Sequence, residues 1–430
     1  MAAAERTGVL IVGAGQAGAM AAAALRGFAY AGRIVMVGSE PDLPYERPPL
    51  SKAMLAGEGA VEQIQLHPTG FHQEKDIETW LSAAVQSLDT SAQTATLADG
   101  RAIAYEHCLL ATGGTARVVP GLPEHAPRVH YLRSVADALR LREALRRHAS
   151  LLVIGGGFLG LEVASTAQSM GLDTTVLERG GRLLERVLPP VAGDWLRQRV
   201  ELSGVRLRLD AACESFELGE QAVTATLASG ERVSADIVVV AVGQVPDVAL
   251  AREAGIDLHP ANQGIRIDAR CATSAPNLYA AGDCTSQHHP FLGSEQRLES
   301  WQSANEQARI AAAAIAGAET HPLAAPWFWS DQFGCNLQMQ GLPAPGLSYH
   351  CRGGLSSTPP ELPKFLLLGT DPQQRIVHAI AVNAGGDLRQ LKPLIDGRVP
   401  CDIVSLCNPA AALKAQVRSA LAQHTTPAIS

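Results

Sequence analysis

Two sets of three glycines share one spacing, Gly13-x-Gly15-x-x-Gly18 and Gly155-x-Gly157-x-x-Gly160. Each set follows four apolar residues, VLIV at 9–12 and LLVI at 151–154, and precedes a stretch of small residues and a second apolar run. This pattern binds the pyrophosphate of a dinucleotide. The first glycine turns the chain sharply out of a strand, the second removes the side chain that would hold phosphate off the backbone, and the third lets a helix lie close to the sheet. The helix start then offers unpaired N–H groups and a positive dipole end to the phosphates. Glu40 and Glu178 end the two repeats, 9–40 and 151–178. They stand roughly 20 residues past their glycines, where a carboxylate accepts hydrogen bonds from a ribose diol.

One such glycine motif would be weak in a chain holding 40 glycines. Here both copies carry the strand before, the helix after, the second strand and the closing acid. Two dinucleotide sites mean two dinucleotides, most simply a flavin and a nicotinamide cofactor. A third landmark, PNLYAAGDC at 276–284, joins a strand to a turn ending in Gly282-Asp283, and CLLATGG at 108–114 and IVVVAVGQVPD at 237–247 resemble the crossover and return strands of flavoproteins with two dinucleotide domains. Asp283 could also be the side chain of an Asx-type turn. From 323 onward, PLAAPWFWSDQFGCNLQMQGLP, KFLLLGTD and RIVHAIAVN read as strands broken by Pro and Gly turns, and AALKAQVRSALAQ as a terminal helix.

The elements that position these residues must come from an α/β chain of several domains. With 430 residues and 47% hydrophobic content, the chain is long enough for two or three packed cores. Its formal charge of −7 argues against nucleic acid and against anionic membrane surfaces as general partners. Eight cysteines (Cys108, Cys213, Cys271, Cys284, Cys335, Cys351, Cys401 and Cys407) show no C-x2-C or other paired spacing. That is the usage of reduced intracellular thiols, with no metal cluster or disulfide framework. No apolar run reaches the length of a membrane span, and the start MAAAERTGVLIVGAG lacks the pattern of a signal peptide. The expectation is a cytoplasmic protein.

With these landmarks the chain resembles the FAD-dependent NADH:ferredoxin reductases of bacterial oxygenase systems, the reductases of the putidaredoxin, rubredoxin and biphenyl-dioxygenase type. The resemblance is carried by YERPPLSK, ATGG, GGGFLGLEVA, LLERVLPP, YAAGDC, RLESWQSANEQA and APWFWSDQ. It implies two Rossmann-like dinucleotide-binding domains in a glutathione-reductase-like arrangement and a C-terminal mixed α/β domain. The FAD-binding domain would comprise 1–116 and 245–322, the NAD(H)-binding domain 117–244, and the interface domain 323–430.

The resemblance places FAD on Gly13, Gly15, Ala17 and Gly18, and on Arg47, Pro48 and Lys52 of the YERPPLSK stretch. Val85, Ala111, Thr112, Gly113 and Arg133 would line the same cofactor, with Gly282 and Asp283 at the ribityl chain and Glu299, Ser300 and Trp301 beyond. Ser39 stands where the family often has aspartate, so Ser39 and Glu40 compete for the ribose, with Glu40 preferred. NADH would lie on Gly155, Gly156, Gly157, Phe158, Leu159 and Gly160, flanked by Glu162, Glu178, Arg179, Arg186, Val242 and Gly243. Glu178 favours NADH, whereas Arg179 and Arg182 nearby could accommodate the 2′-phosphate of NADPH. No metal is implied.

In disulfide reductases of similar layout a cysteine pair near position 45 relays electrons from flavin. YERPPLSK has none, so electrons must leave the flavin for an outside acceptor. The prolines stiffen the stretch, and by resemblance Lys52 lies near the flavin, paired with Glu162, where its charge would stabilise the reduced form. Trp301 and Trp329 would cover the flavin or lie on the exit route; packing in the core is the competing reading for each. A flavin takes an electron pair and releases it singly, which suits a small acidic 2Fe–2S ferredoxin in a transient complex. The expected activity is therefore that of a ferredoxin–NAD(+) reductase feeding a multicomponent aromatic-ring dioxygenase, with a Rieske oxygenase as the indirect partner. A P450 or a rubredoxin-dependent hydroxylase is the alternative destination. An NADH oxidase or peroxidase would need a redox cysteine near the flavin, and a flavoprotein resembling apoptosis-inducing factor would carry insertions in the last domain. Arg297, Arg309, Arg389 and Lys392 are candidates for steering an acidic partner. Cys284 reads as a packing residue, and His288 and His289 as loop residues.

Overall fold

The computed structural model describes residues 5–355 and 362–425. The chain forms two compact units. The first takes residues up to Arg47, Ala60–Thr115 and Gln244–Leu323; the second takes Pro48–Gly59, Ala116–Gly243 and the chain from Ala324 onward.

In the first unit the apolar run around VLIV becomes the strand Glu5–Val12, paired in parallel with Ile34–Val37 and with Ala102–Leu110. Ile77–Trp80 extends the parallel edge. Val85–Asp89 and Thr94–Leu97 form a hairpin whose second strand pairs antiparallel with the start of Ala102–Leu110. Leu278–Ala280 pairs in parallel with the end of that same strand. Val9, Leu10 and Ile11 are fully buried, as expected of a parallel strand covered on both faces. Helix Gln16–Gly27 packs against helix Trp301–Ala316. Ala17, Ala21 and Ala22 on one and Ala304, Ala308 and Ala311 on the other are buried, and side chains this small let two helix backbones approach closely.

The second unit repeats the design. A wholly parallel sheet runs in the order Arg206–Arg208, Asp173–Leu177, Ser150–Ile154, Ile237–Val240, Val129–His130, and helix Phe158–Ser169 follows its central strand. Cys213–Leu218, Val223–Leu227 and Arg232–Ala235 make a small antiparallel sheet. The C-terminal region is a five-stranded antiparallel sheet, in the order Trp327–Gln332, Cys335–Gly341, Ile376–Val382, Phe365–Thr370, Ser348–Gly353, with helices Gly385–Asp396, Ile403–Cys407 and Leu413–Thr425. This is the mixed α/β C-terminal domain expected from the sequence. The strand Ser348–Gly353 and helix Gly385–Asp396 are additions: SYHCRG is half-polar, and GGDLRQLKPLID begins with two glycines and holds Pro393. No helix among the described residues is long and apolar enough to cross a membrane.

Candidate dinucleotide and electron-transfer site

The two glycine turns are superimposable in their steric logic. A Cβ on Gly13 would stand 2.1 Å from the Ala111 carbonyl oxygen, and one on Gly18 1.9 Å from that of Gly13. On Gly155 it would meet the Ala241 carbonyl oxygen at 2.4 Å, and on Gly160 that of Gly155 at 2.0 Å. Gly13 and Gly155 also have φ of +116° and +105°, a conformation open chiefly to glycine. The middle glycines differ. A Cβ on Gly15 or Gly157 would meet nothing within 4 Å. No protein atom requires glycine at those two positions, and the space left fits a pyrophosphate drawn onto the backbone. Gly15 and Gly157 are also the N-caps of their helices, with no side-chain cap and no acidic residue in the first turn, so the terminal N–H groups and the positive dipole end remain for an anion. Beside the first loop, Gln16 donates to Asn305 Oδ1 at 2.8 Å. Gln16 Oε1 and Asn305 Nδ2 are buried without partners among the described residues, a further sign that a polar group belongs there.

Around the first loop, Glu40 accepts from Arg47 Nη2 at 2.7 Å and from the Tyr45 hydroxyl, while Ser39 is exposed. Burial opposes the charge on Arg47, but Tyr45, Glu40 and Asp283 outweigh it and raise its pKa. Gly282 has φ of +88°, and its N–H donates to Gln307 Oε1 at 2.8 Å. Asp283 Oδ2 accepts from Gln244 Nε2 at 3.0 Å. Thr112 donates to the Asp247 carbonyl at 2.6 Å, beside Ala111 and the positive-φ turn at Gly113. Ala17 is buried in the helix, and Val85 is half-buried on its strand. Ser300 caps helix Trp301–Ala316 by accepting from the Ser303 N–H at 3.1 Å. Trp301 is the first residue of that helix and is 37% exposed. Glu299 is ion-paired with Arg297.

Around the second loop, Glu178 accepts from the Gly156 N–H and the Gly180 N–H, each at 2.7 Å. Arg182 is paired with Glu185 at 2.7 Å, whereas Arg179 and Arg186 are exposed. Val242 lies beside Gly155, and Gly243 turns at φ +96°. Leu159 is half-buried on the first turn of the helix, and Phe158 packs on Phe328 with ring centroids 4.4 Å apart. Trp329 stacks on Trp327, centroids 5.0 Å apart. Arg133 also belongs to this unit, its N–H donating to Asp137 Oδ2 at 3.1 Å.

The stretch Pro48–Ser51 forms a 3-10 turn running into the short helix Ala53–Ala56. Lys52 Nζ lies 2.7 Å from Glu162 Oε2 and 3.1 Å from the Pro48 carbonyl. Glu162 also accepts from the Ser51 and Ser330 hydroxyls. These two serines, and Gln244 and Gln307 at the other turn, escaped the sequence reading. Ser51 directly precedes Lys52 in YERPPLSK and Ser330 directly follows Trp329 in PWFWSDQ, and that adjacency was the available signal.

Two expectations are corrected. Lys392 is paired with Asp396 at 2.6 Å, and Arg297, only 16% exposed, with Glu299, so neither offers a free charge to a partner; Arg309 and Arg389 are exposed. His288 and His289 lie on the strand Thr285–His289, where pairing with Ser294–Gln296 takes them out of a loop. Cys284, by contrast, is the packing residue expected: it is fully buried, and burial raises its pKa, which makes it an inert thiol.

Residues 7–308 match the pyridine nucleotide-disulphide oxidoreductase family. The chain belongs to that family. Residues 327–417 match a second family, reductase C-terminal. The chain is 37% identical to the 3-phenylpropionate/cinnamic acid dioxygenase ferredoxin–NAD(+) reductase component of Photorhabdus laumondii, over 92% of this chain and 97% of the relative. It is 37% identical to the anthranilate 1,2-dioxygenase system ferredoxin–NAD(+) reductase component of Burkholderia cepacia, over 94% and 98%. Among solved structures, the covalent putidaredoxin reductase–putidaredoxin complex matches with a TM-score of 0.89 at 34% identity, over 97% of this chain and 99% of the other. The resemblance seen in the sequence is thereby established, and the two dinucleotides that the loops fit are FAD and NADH.

Proposed function

We propose that this chain is the FAD-dependent ferredoxin–NAD(+) reductase of a cytoplasmic aromatic-ring dioxygenase system, passing electrons from NADH to a small acidic 2Fe–2S ferredoxin. The observation that carries the reading is the Tyr45–Lys52 stretch, which holds a lysine locked to a buried glutamate and no thiol. A chain of this family without that relay must hand its electrons to an outside carrier. Bound FAD supplies the division of a hydride pair into single electrons.

The residues of the chain do the rest. Residues 1–116 and 245–322 hold FAD, through the Gly13–Gly18 loop, Arg47, and Asp283 as oriented by Gln244. Residues 117–244 hold NADH on the Gly155–Gly160 loop. The Glu178 carboxylate, fixed by two backbone N–H groups, faces a ribose diol and repels a 2′-phosphate. Lys52 supplies a fixed positive charge to the flavin, and Glu162 holds it in place. Trp301 and Trp329 screen the flavin from water or carry electrons outward. Residues 323–430 form the partner-facing domain, and Arg309 and Arg389 steer the acidic ferredoxin to it.

The test is NADH-driven cytochrome c reduction by the purified holoprotein. The rate should rise with added 2Fe–2S ferredoxin and be close to zero without it. Activity with rubredoxin alone would redirect the reading to a rubredoxin-dependent hydroxylase. Steady peroxide formation, indifferent to any ferredoxin, would overturn it in favour of an oxidase.

A further inference from the structure

A buried carboxylate must be met by donors on both oxygens or it forfeits much of its solvation. Glu162 is 7% exposed. Its Oε2 is met by Lys52 and Ser51, both from the proline turn. Its Oε1 is met by the Ser330 hydroxyl at 2.6 Å, from the first strand of the C-terminal sheet. Ser330 is itself fully buried. It accepts from Gln332 Nε2 at 3.1 Å, which directs its hydroxyl proton toward Glu162.

The register of the two elements explains why these groups meet. Phe158 and Glu162 are four apart and lie one above the other on the helix, while Phe328, Ser330 and Gln332 alternate onto one face of the strand. Phe158 packs on Phe328 with the rings tilted, and one step along, Glu162 meets Ser330. Two further bonds fix the same contacts. The Phe333 N–H donates to Ser165 Oγ at 2.7 Å, and Thr166 donates to the Ser51 carbonyl at 2.8 Å. The helix that begins at the nicotinamide loop thus grips the lysine turn on one side and the C-terminal strand on the other.

We infer that Ser330 is a positioning residue for the electron-transfer site: it fixes the Glu162 carboxylate and through it the ammonium of Lys52. Lys52 spends N–H groups on Glu162 and the Pro48 carbonyl, so of its three one direction remains, and that direction is set by where Glu162 is held. Without Ser330, Oε1 lacks its donor, the carboxylate turns to find another, and the lysine follows. This rests on the proposed role of Lys52 at the flavin.

The experiment compares the FAD-loaded wild type with Ser330→Ala, Lys52→Ala and the double variant. Anaerobic stopped flow reads the bleaching of the flavin by NADH, and redox titration reads the flavin midpoint potential. Ser330→Ala should bleach roughly tenfold more slowly at saturating NADH, the loss expected of one charge-assisted hydrogen bond. Its half-saturating NADH concentration should stay within about twofold of wild type, because the pyrophosphate loop is untouched. Its potential should move in the same direction as that of Lys52→Ala, and in the Lys52→Ala background the serine change should cost nothing further. If Lys52→Ala is slow while Ser330→Ala keeps the wild-type rate and potential, the inference on Ser330 fails and the role of Lys52 stands. Losses that multiply in the double variant overturn it as well, since Ser330 would then act by another route. If Lys52→Ala itself matches the wild type, both fall together.

Discussion

Under the proposed function, single residues decide which dinucleotide and which acceptor this chain serves. Glu178 is held by the Gly156 and Gly180 N–H groups at 2.7 Å each, which fixes a negative charge at the end of the second repeat. Arg182, which could have accommodated a 2′-phosphate, is turned aside to Glu185. Glu178→Ala should lower the NADH-over-NADPH ratio of kcat/KM on the order of tenfold, the scale of one charged hydrogen-bonding group. A ratio unmoved in steady-state kinetics would remove Glu178 as the selector. The same scale separates what the motifs announced from what they concealed. Lys52 was legible because it ends the narrow motif YERPPLSK, and Glu162 because it lies within the second glycine motif, GGGFLGLEVA. Ser51 and Ser330 were not, since a serine has no chemistry of its own to advertise until a buried carboxylate stands 2.6 Å away.

At the scale of the element, the two strand–turn–helix repeats assign different duties to glycines that look alike in sequence. Gly160 is required by the fold, because its Cβ would fall 2.0 Å from the Gly155 carbonyl oxygen. Gly157 faces open space. Gly160→Ala should therefore push the helix off the sheet and lower stability by about 2 kcal/mol, as overpacking does, visible as a lower melting temperature of the FAD-loaded protein. Gly157→Ala should melt within a few degrees of wild type yet bind NADH at least roughly tenfold more weakly, because the methyl occupies the place of the pyrophosphate. Equal melting temperatures for the two variants, or unimpaired NADH binding by Gly157→Ala, would break the distinction.

At the scale of the whole molecule, each compact unit encloses an imidazole that its core keeps neutral. Burial lowers the pKa of His289, in the first unit, to about 4, and that of His378, in the second, to about 4. Both are almost wholly buried, and His378 shares a hydrogen bond of 2.9 Å with the Tyr349 hydroxyl. The folded values lie below the ordinary 6.5, so the unfolded chain binds the proton more readily. The stabilising contribution is present in full above pH 6.5 and is lost as pH falls from 6.5 toward 4, at about 1.4 kcal/mol per pH unit and per histidine. Urea midpoints should fall across that window. In His378→Gln the proton uptake on unfolding near pH 5 should drop by roughly one. A midpoint flat from pH 7 to pH 5 would contradict the burial of both rings.

The sequence alone determined the parallel strands, the two glycine turns and the closing acids, because each rests on local rules: apolar runs for buried strands, glycine where φ is positive, a carboxylate at a set distance. Composition was enough to set the class of chain. Arg297 and Lys392 are consumed locally, by Glu299 two residues on and Asp396 four residues on along one helix. Tertiary structure decided which distant groups meet. It decided that a glutamate at 162 would gather a lysine and a serine from the proline turn and a second serine from a strand 168 positions further on. Spacing in sequence carries no trace of such a meeting, because it is made by the packing of a helix face on a strand face, and packing is a property of the folded chain as a whole.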